Sequence, residues 1–267
     1  MKPPDRLVPI LEARRADVAR GKQERSLADL ERALKQAPPA RGFRAALLRP
    51  GLQAIAEIKR SSPSAGVLRA SAEPAAIGKL YETAGAAALS VLTEPHFFNG
   101  ALADLQAARA AVSLPVLRKD FTIDGWQLAE ARAAGADAAL LIVGALGEET
   151  RSLLEIGRAY GLDMLVEVHD EAELDLALAS GADLIGINNR DLTRFTIDLG
   201  TTERLRPLIP PGIGVVAESG MEKRADVARM ADLPVDAVLI GSALMRAEDP
   251  GAMLAALLGR SGQAAVA

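Results

Sequence analysis

Residues 134–143, AGADAALLIV, decide how this chain folds. Small helix-favouring residues lead into Gly135, and an apolar run of alanine, leucine, isoleucine and valine follows. Glycine suits the left-handed turn that ends a helix, because it has no Cβ to clash there. A run without polar alternation fits a strand covered on both faces, as in a parallel sheet flanked by helices. The pattern recurs as AGAAALSVL at 84–92 and SGADLIGINN at 180–189, with a weaker copy, LPVDAVLIGS, at 233–242.

Outward from these joins, strand C-terminal ends are predicted near Lys59, Thr93, Lys119, Val143, Glu167, Asn188, Glu218 and Gly241. Successive ends lie roughly 20 to 35 residues apart, the size of a βα unit. Helices are predicted over 74–84, 101–112, 127–134, 148–160, 171–179, 202–208, 223–230 and 250–258. Eight such units make an α/β protein of the TIM (β/α)8 barrel class. A doubly wound sheet is the competitor, but it carries G-x-G-x-x-G after its first strand, where this chain has KRSSPSAG. Two helices precede the repeat. One spans 6–22, with Leu7, Ile10, Leu11, Arg14 and Val18 at helical spacing; the other follows an N-cap at Ser26, has Asp29 in its first turn and stops before Pro38 and Pro39. The expected layout is one domain, 1–267: a helical extension or lid over 1–50, the barrel over 51–259 and a frayed tail over 260–267.

Composition narrows the function classes. A net charge of −4 over 267 residues marks neither a nucleic-acid partner nor an anionic membrane surface. The chain has no cysteine, which removes disulfides, thiolate metal sites and thiol nucleophiles and fits a reducing cytoplasm. No signal peptide or membrane-spanning run is visible, so a cytoplasmic protein is expected.

In this barrel the chemistry belongs at the C-terminal ends of the strands. There the sequence places Glu57 and Lys59 (IAEIKRSSPS), Lys119 (VLRKDF), Glu167 (MLVEVHD), Asn188 with Asn189 and Arg190 (IGINNRDL), and Glu218 (VVAESG). Buried ionised groups cost several kcal/mol unless paired, so such a mouth is either a closed charge network or a ligand pocket. The closed network predicts matched charges and no empty space. The turns Ser219-Gly220 and Gly241-Ser242, after strands seven and eight, favour a ligand, since barrels of this kind bind phosphate there through backbone N–H groups. Lys119 is the leading candidate acid. Burial and a nearby Lys59 would lower its pKa, whereas Glu57, Glu167 and Glu218 would raise it. His96 and His169 show no metal-ligand spacing, and no metal site is expected; His169 shares a strand face with Glu167 and is read as making a loop hydrogen bond.

Taken in order, AEIKRSSPS at 56–64, LTEPHFFNG at 92–100, LRKDF at 117–121, EVHD at 167–170, GINNRDL at 186–192, AESG at 217–220 and LIGSALM at 239–245 resemble the indole-3-glycerol phosphate synthase family. The resemblance runs from the N-terminal helices to about Leu258. It implies a phosphorylated small-molecule substrate, 1-(2-carboxyphenylamino)-1-deoxyribulose 5-phosphate, closed to an indole with loss of CO2 and water and without a cofactor. It implies further that Ser64, Ser219, Gly220, Gly241 and Ser242, helped by Lys59, hold the phosphate. Pro63, Phe98, Phe121 and Leu140 would wall the aromatic ring. Lys119 would protonate the ketone oxygen, and Glu167, Lys59 and Glu57 would be available for dehydration. Asn188 and Glu218 would orient sugar hydroxyls and lysines, with Arg190 pairing with Glu167 or Glu218. No nucleic-acid or membrane partner is expected, and a monomer or small homo-oligomer remains open. The rivals are a Schiff-base aldolase using a strand-end lysine, a phosphosugar sensor lacking acid–base groups, and phosphoribosylanthranilate isomerase, whose usual cysteine base is absent here.

Overall fold

The structure is a computed structural model that describes residues 3–191 and 196–260. Each predicted apolar run is a strand: β1 (Gln53–Ile58), β2 (Ala88–Leu92), β3 (Val116–Lys119), β4 (Ala138–Ile142), β5 (Asp163–Val168), β6 (Leu184–Asn188), β7 (Gly214–Glu218) and β8 (Ala237–Ile240). All neighbours pair in parallel, and β1 bonds both β2 and β8, so the sheet closes into a barrel. Gly85, Gly135 and Gly181, the glycines of the recurring join, have φ of 88°, 94° and 84°, the left-handed turn their position predicted.

The helices, in chain order, are α1 (Val8–Glu24), α2 (Leu27–Leu34), α3 (Phe43–Leu47), α4 (Pro74–Thr83), α5 (Leu102–Ala111), α6 (Gly125–Ala133), α7 (Val143–Leu146), α8 (Glu149–Ala159), α9 (Glu171–Ala179), α10 (Gly200–Leu205), α11 (Arg224–Ala231), α12 (Ser242–Arg246) and α13 (Pro250–Leu257). Three features depart from the sequence reading. Val143 begins α7 rather than ending a strand, because an apolar run such as LLIVGAL does not distinguish strand from helix by pattern. The Ser-Ser-Pro-Ser turn carries a small antiparallel hairpin, Ser61–Ser62 against Gly66–Val67. The unforeseen α3 sends Phe43 and Leu47 into the barrel interior, among Ala88, Ala138, Leu184 and Ala237, first residues of their strands. It closes the end of the barrel opposite the strands' C-termini.

Alternation along the strands sorts the side chains into two cores. Ala54, Ala56 and Ile58 pack outward under the helices, while Ile55 joins Leu117, Leu165, Val216 and Leu239 inside. Two residues beyond four of these interior positions stand Glu57, Lys119, Glu167 and Glu218. The period of two therefore delivers a layer of charge directly above a layer of aliphatic side chains.

The N-terminal extension is fastened to this frame. The Ser26 hydroxyl accepts from Asp29 N and the Asp29 carboxylate accepts from Ser26 N, each at 3.2 Å, a reciprocal cap for α2. Val18 and Leu30 pack against Trp126, whose indole N–H donates to Arg25 O at 2.9 Å. Arg14, on the apolar stripe of α1, is buried against Asp120, with Nε 3.1 Å from Oδ1 and Nη2 3.2 Å from Oδ2. Asp120 also accepts from Thr93 Oγ1 (2.6 Å) and Arg118 Nη2 (3.1 Å). The expected tail, 260–267, lies outside the described residues except for Arg260, whose guanidinium donates to Gly85 O at 2.7 Å. Among the described residues no helix is long and apolar enough to cross a membrane, and no cluster of three or more His, Asp or Glu side chains is arranged to hold a metal ion.

Candidate active site

The charged layer lines a pocket of about 1110 Å³, part of it open to solvent. Both lysines of the layer are paired with carboxylates, yet an open pocket lies above them. A pocket over paired charges fits a ligand site better than a closed network. Glu57, Lys59, Lys119, Glu167, Asn188 and Glu218 all contribute to its surface, as do Ser64, Ser219, Gly220, Gly241 and Ser242. Pro63, Phe98, Phe121 and Leu140 form apolar wall, with the Phe98 and Phe121 ring centroids 6.0 Å apart. The structure thus brings these residues into one cavity, whereas Asn189, beside them in sequence, turns away to donate to Glu218 O and Ser219 O and to accept from Thr202.

At the floor, Lys119 Nζ lies 2.7 Å from Glu167 Oε2 and 2.5 Å from Glu218 Oε2. Lys59 Nζ pairs with Glu57 Oε1 at 2.7 Å, and Ser90 Oγ donates to Glu57 Oε2 at 3.3 Å. Burial works to lower the Lys119 pKa, but the carboxylates of Glu167, Glu218 and Glu57 outweigh it and hold the ammonium above the usual lysine range. Burial would raise Glu167; Lys119 and His169 overcome that and keep it well below the usual carboxylate range. Glu218 goes the other way: burial, reinforced by Glu167 and Glu57, exceeds the pull of Lys119 and lifts it to about 7. Two carboxylates on one ammonium are thereby driven apart, the pattern that distinguishes a base from a proton-holding partner.

Two glycines make room for this cluster. A Cβ on Gly186 would collide with Glu218 Oε1, and one on Gly241 would collide with Glu57 Oε1 and crowd Lys59 Nζ at 3.0 Å. Gly241 immediately precedes α12, so backbone N–H groups of that short helix open toward the rim beside Lys59. Across the pocket, Ser219 and Gly220 have φ of 64° and 89°, a pair of left-handed residues that bends the chain away from β7.

Some roles read from the sequence change. Asn188 Nδ2 donates to Glu167 Oε1 at 3.0 Å, so Asn188 holds a carboxylate rather than a lysine. Arg190 also lines the pocket, where burial lowers its pKa against the opposing pull of Glu222 and Glu57. His169, just after β5, makes the expected hydrogen bond, and its partner is Glu173 of α9. Leu7 and Ile10 of the extension also line the cavity, which the sequence did not reveal. Their membership of the α1 apolar stripe was visible, but the surface that stripe covers was not.

A family model described as indole-3-glycerol phosphate synthase matches residues 7–257. The chain belongs to the indole-3-glycerol phosphate synthase family. Proteins of that name from Aromatoleum aromaticum and Bordetella pertussis are each 49% identical to it, covering 96% and 95% of this chain and 99% of their own lengths. An indole-3-glycerol phosphate synthase 2 from Streptomyces coelicolor is 50% identical over 88% of this chain and 92% of its own. Among solved structures, 3-hexulose-6-phosphate synthase from Salmonella typhimurium superposes with a TM-score of 0.62 at 16% identity, covering 78% of this chain and all of that one. The tryptophan synthase α-subunit (D110A mutant) from Pyrococcus furiosus gives 0.58, also at 16% identity, over 78% of this chain and 98% of its own. These two likenesses establish the barrel.

Proposed function

We propose that Lys119, Glu167 and Lys59 divide the proton transfers of indole-ring closure among themselves. The enzyme is a decarboxylating lyase of tryptophan biosynthesis, converting 1-(2-carboxyphenylamino)-1-deoxyribulose 5-phosphate to indole-3-glycerol phosphate with loss of CO2 and water. In the first step the ring carbon that bears the carboxylate attacks the ketone carbon, and the carbonyl oxygen gains charge. Lys119 gives that oxygen a proton. Its own affinity for protons is high, but an alkoxide is a stronger base than an amine, so the transfer runs downhill. Loss of CO2 then restores the aromatic ring.

Dehydration needs an acid at the departing hydroxyl and a base for the remaining proton. Glu167, kept ionised by its neighbours, is the base, and the Lys59 ammonium is the acid. Glu57 holds Lys59, Asn188 turns Glu167, and Glu218 shares a proton with Lys119 that restores the ammonium between turnovers. The substrate phosphate sits on Ser64, Ser219, Gly220, Gly241 and Ser242 near Lys59, and the ring lies along Pro63, Phe98, Phe121 and Leu140.

The observation that carries this reading is the position of Lys119 Nζ between two carboxylates beneath an apolar wall. It also weighs against a Schiff-base aldolase, which needs a neutral amine. The test is turnover of the carboxyphenylamino deoxyribulose phosphate followed by indole fluorescence: an indole product is expected, and none from folded protein overturns the reading. The same reading places the enzyme in the cytoplasm, without nucleic-acid partners, as a monomer or small homo-oligomer, with 1–50 as part of the same domain.

A further inference from the structure

His169 lies just beyond β5 and is almost wholly enclosed. Its Nδ1 is 2.9 Å from Glu173 Oε2, and that same oxygen accepts the His169 backbone N–H at 2.9 Å. Its Nε2, which makes no hydrogen bond, points at Glu167 Oε1 from 3.4 Å. The ring therefore stands between two carboxylates, one at the start of α9 and one on the pocket floor. Glu173 is itself wedged in place, since a Cβ on Gly144 of α7 would strike its Oε1.

We infer that His169 is a positioning residue: as an imidazolium braced by Glu173, it fixes Glu167 Oε1 so that Oε2 is presented to Lys119 and the pocket. The charged groups facing Glu167 are Lys119 from β3, His169 from just beyond its own strand and Glu218 from β7, with the Asn188 amide from β6 on Oε1. Those facing His169 are Glu167 and Glu173. Removing the imidazolium takes away one of two cations that favour ionised Glu167, and its proton affinity must rise. Burial opposes a charged ring, but the two carboxylates win and lift His169 to about 10, so the brace is present throughout the neutral range.

The inference rests on Glu167 being the base of dehydration, and the experiment separates the two claims. Losing the imidazolium takes an opposite charge and a pointed N–H from a buried carboxylate, a change of about one to three units. For His169→Gln, the ratio of variant to wild-type kcat should therefore fall at least twofold as the pH is lowered from about 8 to 4. Glu173→Gln should give the same trend in weaker form, with KM moving less than kcat in both. A ratio that does not change with pH, while Glu167→Gln is inactive, overturns the role of His169 and leaves Glu167 as base. An active Glu167→Gln overturns both. Because the chain has only two histidines, NMR titration of the wild-type imidazoles provides a check without any variant. One ring should stay protonated beyond pH 8, and two ordinary midpoints near 6.5 would sink the proposal.

Discussion

Lys119 and Glu218 approach to 2.5 Å from two strands, β3 and β7, that are not neighbours in the barrel. Their contact crosses the barrel mouth, and Glu167 reaches the same nitrogen from β5. Three strands that share no ladder thus converge on one ammonium. Closure of the sheet is what makes this possible.

Lys119→Met removes the proton donor while keeping length and much of the apolar bulk. Turnover should drop by about 10²- to 10⁴-fold, the usual contribution of a general acid. Substrate affinity should stay within a few-fold. Single-turnover indole fluorescence measures the first quantity and calorimetry with substrate the second; near wild-type kinetics would remove Lys119 from the acid role.

Gly241→Asp puts a side chain where Glu57 Oε1 and Lys59 Nζ already sit, and adds an anion beside the turn proposed to hold the phosphate. Affinity for the phosphorylated substrate should weaken by at least tenfold, and inorganic phosphate should cease to compete. Unchanged binding by calorimetry would argue against a phosphate at this rim.

Glu218 links stability to pH. Its carboxyl titrates at about 7 in the fold against an ordinary value of 4.5, so between those two the folded state holds more of the proton than the unfolded state does. Stability that this group supplies is complete below pH 4.5 and is lost as the pH rises toward 7. Relative to Glu218→Gln, the wild type should therefore lose stability across that window. Urea unfolding at pH 5 and pH 8 reads the difference; a gap of constant size would show that Glu218 titrates normally.

Arg14→Met breaks the buried pair between α1 and the residue after Lys119. Asp120 keeps Arg118 and Thr93, so the loss should be about 2 kcal/mol rather than the ~3–5 kcal/mol of an abandoned buried charge. Because α1 carries Leu7 and Ile10 to the pocket, KM should rise with it. Denaturant melts and steady-state kinetics test the two together; a stable variant with raised KM would mean that α1 shifts without costing the fold.

Much of this was readable from pattern. The join before β4 gave the repeat, and alternation in IAEIKR and VLRKDF put Glu57, Lys59 and Lys119 toward the mouth. What escaped was set by distance along the chain. Arg14 was visible as a charge within an apolar stripe, which demands a buried partner, but that partner stands 106 positions away. His169 was seen to share a face with Glu167, whereas Glu173 lies on a helix whose orientation no local pattern fixes. The hairpin at Ser61–Ser62 and Gly66–Val67 is too short to carry a periodicity, and α7 hides in an apolar run that suits strand and helix equally.

Leu7 and Arg260, near the two ends of the described chain, are held at opposite ends of the barrel. Leu7 reaches the pocket, while Arg260 is tied to Gly85, in the turn that leads into β2 at the closed end. A protein joined ahead of residue 7 would have its linker beside that pocket. One joined after residue 260, or a surface to which that end is immobilised, would leave the pocket clear. The placement of α1 therefore dictates which terminus a tag, a fusion or a support can use without throttling substrate entry.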